Sequence, residues 1–324
     1  MLEFNERNIK TWAMTGPSGA LGMAALDIAG EKEDFAVVTS DLCYFSGLDK
    51  LKNKYPEKLI NVGIAEQNMI NVAAGMAKEG MSVFATTYAT FAALRALDQV
   101  KVSMGYMKLP VKLIGLTSGF SVGILGATHM SVEDIAVMRT IPNLVIFSPA
   151  DCTETVKCLY EAQKMDLPVY IRMGGGQRNP VIYDKDYEFI AGKAIALQKG
   201  KDILIIATGA MVNEALKTAK LLEEKQFTCT VLDMHTIKPI DKEAILEGVK
   251  YKLIISIEEH SIIGGLGSAI AETLALTEQK PRHLIVGVED QYPHAAGYEY
   301  LKEKSGLTAP QICRRALQCL NHDL

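Results

Sequence analysis

The chain has 324 residues, 48% of them hydrophobic and 22% charged, with a net charge of −4. That length supports two domains with full cores, and the charge balance excludes the basic surface of a nucleic-acid or acidic-membrane binder. No apolar run reaches the length of a membrane span, the first ten residues carry no apolar signal segment, and the six cysteines lack a CxxC pair, so a reducing, cytoplasmic setting is expected.

In chain order, residues up to about Arg7 read as a polar arm. Small residues dominate from Thr11 to Ala29, and a helix is expected after Pro17. Phe35–Ser40 reads as a first strand. It ends at Asp41, which falls where a parallel strand meets a ligand crevice, or else caps the next segment. Val62–Ala65 is a short apolar, strand-like run ending in a turn. A helix rich in Ala and Met follows from Glu66 to about Lys78, and Gly75 inside it would allow close packing on a sheet or a partner subunit. Gly80 ends that helix and Ser82–Thr87 is the next strand. Tyr88 and Phe91 are spaced for one side of a helical turn. Ala92–Met104 continues as helix, with Arg95 and Gln99 on one face assigned to packing or an interface.

Strands are then expected at Val111–Leu116, Val145–Ser148 and Val169–Arg172, with helices at Ser131–Arg139 and Asp151–Ala162 and a glycine-punctuated loop at Gly119–Gly126. Gly174-Gly175-Gly176 and Asn179-Pro180 break the alternation. A second unit follows, with strands Ile203–Ala207, Thr228–Asp233, Leu253–Glu258 and His283–Val288 between helices Met211–Gln226, Lys242–Gly248 and Gly264–Leu276. The expected fold is α/β, two doubly wound domains: 8–178 with a parallel sheet, a linker at 179–190, and a smaller domain at 191–324.

A carboxylate at the head of a helix beside Ile64 and two aromatic rings is poorly hydrated, which suits it to exchanging a proton with a ligand. A flat heteroaromatic ring could stack on Phe91 while its edge nitrogen meets Glu66. The plainer reading is that Glu66 only favours the positive end of its helix. Gly264–Ser268 follows a strand and opens a helix, so it reads either as a phosphate cradle or as a structural turn; the turn is preferred. Glu258, Glu259 and His260 read as an interface cluster rather than a metal site. His235 and His294 have no motif-based role.

Gly63-Ile64-Ala65-Glu66-Gln67-Asn68-Met69 resembles the pyrimidine-domain signature of transketolases and their thiamine diphosphate-using relatives. The likeness continues through Tyr88 and Phe91, Gly126-Ala127-Thr128-His129, Ile141-Pro142-Asn143, Ile237-Lys238-Pro239 and Glu258–Ser268, over nearly the whole chain. It implies a pyrimidine-binding domain followed by a transketolase C-terminal domain. It implies that Glu66 bonds N1′ of the aminopyrimidine, that Ile64, Tyr88 and Phe91 line the ring pocket, and that His129 faces the substrate. The family's Gly-Asp-Gly motif for diphosphate and metal is absent here. The chain therefore resembles the C-terminal subunit of a split transketolase, with no metal ligands of its own. Its partner would be an N-terminal subunit that carries Gly-Asp-Gly and a divalent ion, Mg or Ca. A heterotetramer with self-association through pyrimidine domains is the family's arrangement.

The implied reaction is transfer of a ketol or acyl unit on a small molecule. The alternatives are a decarboxylating synthase of the deoxyxylulose phosphate synthase type, a 2-oxo acid dehydrogenase beta subunit, or a non-catalytic interaction subunit. Four positions depart from sugar-phosphate transketolases. Thr15 stands for an arginine, Ser118 for a histidine, Leu125 for an aspartate, and Arg172-Met173-Gly174-Gly175 for a run ending in arginine. Arg178 is a candidate replacement for one lost cation. Fewer charges imply a smaller, less hydroxylated or non-phosphorylated ketone or 2-oxo acid.

Overall fold

The apolar runs of the first half lie side by side as parallel strands in a computed structural model, which describes residues 1–176, 180–279 and 281–321. They are β1 (Phe35–Thr39), β2 (Leu59–Asn61), β3 (Ser82–Tyr88), β4 (Lys112–Ser118), β5 (Val145–Phe147) and β6 (Val169–Gly174). β1 and β5 are buried along their whole length, as in a sheet covered by helices on both faces. The second half adds β7 (Ile195–Gln198), β8 (Ile203–Ala207), β9 (Cys229–Asp233), β10 (Thr236–Lys238), β11 (Leu253–Ser261) and β12 (Arg282–Val288). Five of these form a sheet in the order β12-β11-β8-β9-β7, parallel except for β7.

β10 crosses to the other sheet. It pairs antiparallel with β5, Thr236 opposite Phe147, and completes a seven-stranded sheet ordered β10-β5-β6-β4-β3-β1-β2. The two expected α/β units are present, but the first owns a strand from the second. Residues 177–179, where the expected first-domain end and Arg178 fall, lie outside the described residues.

Several boundaries move. The helix expected after Pro17 starts at Glu6 and runs Glu6–Glu31, because Asn5 caps it by accepting from the Asn8 amide at 3.0 Å. It bends at Gly16, whose φ of 73° just before Pro17 interrupts the helical run. The strand-like run at 62–65 is a loop, since Gly63 takes φ 75° and donates to the Asn61 side chain at 3.0 Å. Asn61 also accepts from the Asp41 amide, so Asp41 ties the ends of β1 and β2 together instead of capping a helix. Helix Glu66–Lys78 buries Met69, Ile70, Ala73, Ala74 and Ala77, whereas Gly75 faces open space. β7, β10 and the helices Tyr298–Lys304 and Ala309–Asn321 add to the elements expected from the sequence. Among the described residues no helix is long and apolar enough to cross a membrane.

Buried polar groups join the two halves. Arg172 on β6 donates to Asp134 at 2.9 Å and to the Glu259 carbonyl of β11 at 2.8 Å. The segment after β6 is strapped down: Asp151 accepts from the amides of Ile182 and Tyr183, and Tyr187 donates to Glu154 at 3.0 Å. Tyr183 donates to Asp233, at the end of β9, at 2.7 Å. The other oxygen of Asp233 has no donor among the described residues, although the side chain lies against Glu154. Two buried carboxylates in contact are accommodated by a proton between them. Burial pushes Asp233 up to about 7 and raises Glu154 as well, with repulsion from neighbouring carboxylates adding to both.

A carboxyl group whose pKa rises on folding stabilises the fold below its unfolded value and loses that contribution as pH climbs. The strap is therefore expected to weaken between about pH 4 and 7. Asp233→Asn mimics the protonated acid, keeps an acceptor for Tyr183 and gains a donor for Glu154. Its stability relative to the parent should rise by roughly 1–3 kcal/mol between pH 5 and 8. Paired thermal melts across that range check this, and a difference that stays flat with pH would count against it.

Candidate active site

Because six strands run parallel, their C-terminal ends fall on one edge of the sheet, and the loops that leave them gather there. Glu66 opens helix Glu66–Lys78 at that edge, with only 3% of its surface exposed. Tyr88 ends β3. The wide helical turn Phe91–Arg95 follows directly and carries both an aromatic ring and a cation.

Arg95 departs from the role that sequence spacing assigns it. Beyond the packing or interface role expected of it, it pairs with the acid of the site. Its Nη1 donates to both oxygens of Glu66, at 3.0 and 2.9 Å, and its guanidinium carbon lies 4.0 Å from the centre of the Phe91 ring. Phe91 and Arg95 are four apart on one turn, a signal that the sequence carries as plainly as the spacing of Arg95 with Gln99.

His129 lies edge-on to Phe91 at 5.3 Å and to Tyr88 at 6.2 Å, and its Nδ1 is 3.0 Å from the Thr128 hydroxyl. Tyr88 and Phe91 are 6.1 Å apart. Phe45 extends the aromatic wall, 6.5 Å from Tyr88. Burial pushes the Tyr88 phenol up, so it remains a hydrogen-bond donor across the neutral range. Ile64 departs from expectation: 77% of it is exposed, because the Gly63 turn throws it outward, so it does not wall Glu66 within this chain. With Tyr44 and Phe45 beside Tyr88, and Ile124 and Leu125 on the loop that carries His129, it forms an exposed apolar rim to the segments that bear the site residues.

Three of the departing positions also converge. Thr15 and Gly174 line a cavity of about 230 Å³, together with Ser18, Thr117, Ser121 and the backbone of Gly175 and Gly176. Ser118 is buried beside it. Among the described residues its lining holds no charged side chain. Thr117 is a β-branched residue at φ 54°, and its buried hydroxyl has no partner among the described residues. Leu125 lies on the rim, half exposed. Arg172 is committed to Asp134 and does not reach this cavity.

The other constellations are structural. The amides of Leu266 and Gly267 donate to Glu258 at 2.7 and 2.8 Å, so the glycine turn holds an internal carboxylate. Glu259 accepts from the Phe120 amide at 2.6 Å and from Tyr298 at 2.5 Å. His260 accepts from the Ala136 amide at 3.2 Å, and burial pushes it down to about 4, which keeps it neutral. His235 is likewise buried and neutral, and His294 is exposed. Among the described residues no group of three acidic, histidine or cysteine side chains could hold a metal ion. A larger cavity of about 630 Å³ lies away from Glu66, beside β10; of the cations that line it, Arg139 and Lys238 are spent on backbone carbonyls, and Lys242 is exposed.

Residues 17–177 match the pyrimidine binding domain of transketolase, and residues 192–312 match the transketolase C-terminal domain. The chain is 39% identical over 294 residues to the 6-deoxy-6-sulfo-D-fructose transketolase subunit SqwH of Clostridium sp. (strain MSTE9), covering 90% of each. It is 38% identical over 295 residues to an apulose-4-phosphate transketolase subunit of Phocaeicola vulgatus, covering 90% of this chain and 94% of that one. A solved structure, described as a split gene transketolase in an inactive beta4 tetramer, superposes with a TM-score of 0.83 at 35% identity over 99% of both chains.

Since Glu258 already fills the glycine turn, inorganic phosphate should leave the amide resonances of Gly264–Ser268 unmoved. Glu258→Ala should lower stability by about 2–4 kcal/mol, because two buried amides lose a charge-assisted acceptor. Titration by NMR and denaturant unfolding check both; a phosphate-dependent shift there would reinstate the cradle.

Proposed function

The chain belongs to the transketolase family, and from that premise we propose that it is the half of a split transketolase that receives the aminopyrimidine ring of thiamine diphosphate. One observation carries the reading: the space between Phe91 and Glu66 is filled by a planar group with an N–H edge. A guanidinium there supports a seat that accepts a flat donor stacked on an aromatic face and bonded to a carboxylate, which is what the ring requires. When bound, the cofactor supplies the carbon nucleophile by which a ketol or acyl unit moves between substrates.

The residues of this chain then divide the work. Glu66 holds a proton at N1′, in a position where little water competes for it. Phe91 fixes the plane of the ring, and Tyr88 stands at its border with a phenol that stays protonated. His129 lies edge-on to both, on the loop that faces incoming substrate. Ile64 meets the ring or the partner only when the partner covers the rim.

The diphosphate, and the Mg or Ca ion with it, belong to a separate subunit carrying Gly-Asp-Gly. The absence of that motif from this sequence supports the division. So do the exposed Tyr44, Phe45, Ile64 and Ile124, an apolar border suited to being covered. The structural neighbour, an assembly of beta chains described as inactive, points the same way. A heterotetramer with paired pyrimidine domains, in the cytoplasm, completes the proposal.

For the substrate, the lining around Thr15 and Gly174, which holds no charged side chain among the described residues, supports a smaller or non-phosphorylated ketone or 2-oxo acid. A second reading, an anionic sugar, is favoured by the relatives named for a sulfonated fructose and for apulose 4-phosphate. An assay of the assembled complex with xylulose 5-phosphate and ribose 5-phosphate separates the two.

Glu66→Gln in the assembled complex should lower turnover by about 10²–10⁴-fold while leaving subunit assembly intact. Turnover equal to the parent's would make this an interaction subunit instead. The chain alone should bind thiamine diphosphate weakly or not at all by calorimetry.

A further inference from the structure

We infer that Arg95 is the positioning residue of the ring seat: without cofactor its guanidinium stands in for the aminopyrimidine, and the ring binds by displacing it. The inference rests on the ring seat proposed above. Phe91 and Arg95 belong to the same wide turn, Phe91–Arg95, so Arg95 is carried over the face of Phe91 by its own backbone. The guanidinium carbon sits 4.0 Å from the ring centre, a face-stacking separation. One of its nitrogens reaches both oxygens of Glu66, at 3.0 and 2.9 Å. A planar ring stacked on Phe91 with its edge on Glu66 needs that same slab of space and those same acceptor oxygens. The two cannot be there together.

The arrangement has a physical reason. Glu66 is 3% exposed, and a buried carboxylate with no partner is costly. Arg95 supplies the counter-charge and holds the carboxylate aimed along the face of Phe91 until a ring takes over. Arg95 itself is 46% exposed, so it can leave by rotating its side chain into solvent, with no movement of the turn. Among the described residues Glu66 is its only ion-pair partner, and the face of Phe91 is the other contact that retains it. The affinity for cofactor therefore carries the cost of breaking an arginine–carboxylate pair and a cation–π contact.

The test uses this chain assembled with its diphosphate-binding partner and calorimetric titration of thiamine diphosphate with the divalent ion. Arg95→Ala should bind roughly three- to thirtyfold more tightly than the parent, the combined worth of a half-exposed ion pair and a cation–π contact. Without cofactor the same variant should melt at a lower temperature, because Glu66 has lost its counter-charge. Added methylguanidinium should weaken cofactor binding to Arg95→Ala competitively and leave the parent unaffected, a readout that a merely structural arginine would not move. Arg95→Gln, which is neutral and close in size, should shift affinity in the same direction by less, and serves if the alanine variant assembles poorly. If the parent binds and the variants bind equally or more weakly, displacement is wrong and the cofactor reading stands. If neither parent nor variants bind, the cofactor reading has failed and displacement falls with it.

Discussion

A carboxylate placed almost out of reach of water must be matched by a partner, and the edge of the seven-stranded sheet is arranged around that requirement. Glu66 reaches this position because β2 stops at Asn61 and a left-handed Gly63 turns the chain into the helix Glu66–Lys78. The match comes from β3, which ends at Tyr88, and the turn that follows presents a ring and a cation together. Strand order β3-β1-β2 keeps these two ends on one side of the sheet. The acid, the aromatic face and the counter-charge thus follow from one crossover connection, without any long-range loop having to be ordered.

The second half of the chain contributes position. Its β11 sends Glu259 across to accept the Phe120 amide, and Gly119 beside it has φ 62° with no room for a side chain, since a Cβ there would lie 2.0 Å from the Glu259 carboxylate. Arg172 closes the same joint by bonding Asp134 and the Glu259 carbonyl. These contacts hold the two ends of the 119–131 loop, and His129 rides on that loop. Buried ionic groups are expensive in isolation, but here Asp134 is paired with Arg172 and Glu259 accepts two hydrogen bonds, which offsets that cost at the joint between the halves.

Much of this is legible in the sequence, for identifiable reasons. Strands such as β1 and β8 are continuous apolar runs buried on both faces, so composition alone marks them. Glu66, Tyr88, Phe91 and His129 can be named through the family resemblance, and the structure brings all four to one edge. β10 is invisible because three residues carry no period, and what makes it a strand is the exposed edge of β5. Arg95 is ambiguous because helical spacing pairs it equally well with Gln99 or with Phe91; only the geometry of the turn chooses. Ile64 misleads because apolar character suggests burial, whereas Gly63 turns it out to solvent. The preference for a structural turn at Gly264–Ser268 holds, although the deciding fact, Glu258 beneath its amides, lies in three dimensions.

The exposed apolar rim and the Arg95–Glu66 pair are two consequences of the same incompleteness. A binding surface that is only half present must keep its apolar border uncovered and its buried acid compensated until the other half arrives. The border consists of large side chains with little charge, Tyr44, Phe45, Ile64 and Ile124, each more than half exposed, an arrangement that a solitary domain has no reason to maintain. The acid is compensated by a residue that is itself half in water and tethered to a flexible stem, so the compensation is removable. A permanently buried partner of the Arg172–Asp134 kind, 4% and 0% exposed, would have locked the site shut. The contrast between these two ion pairs in one chain separates what the fold needs from what the site needs: the first is sealed inside the first unit and holds Arg172 where it also reaches the Glu259 carbonyl of the second, and the second is left open at the edge where a ligand can replace it.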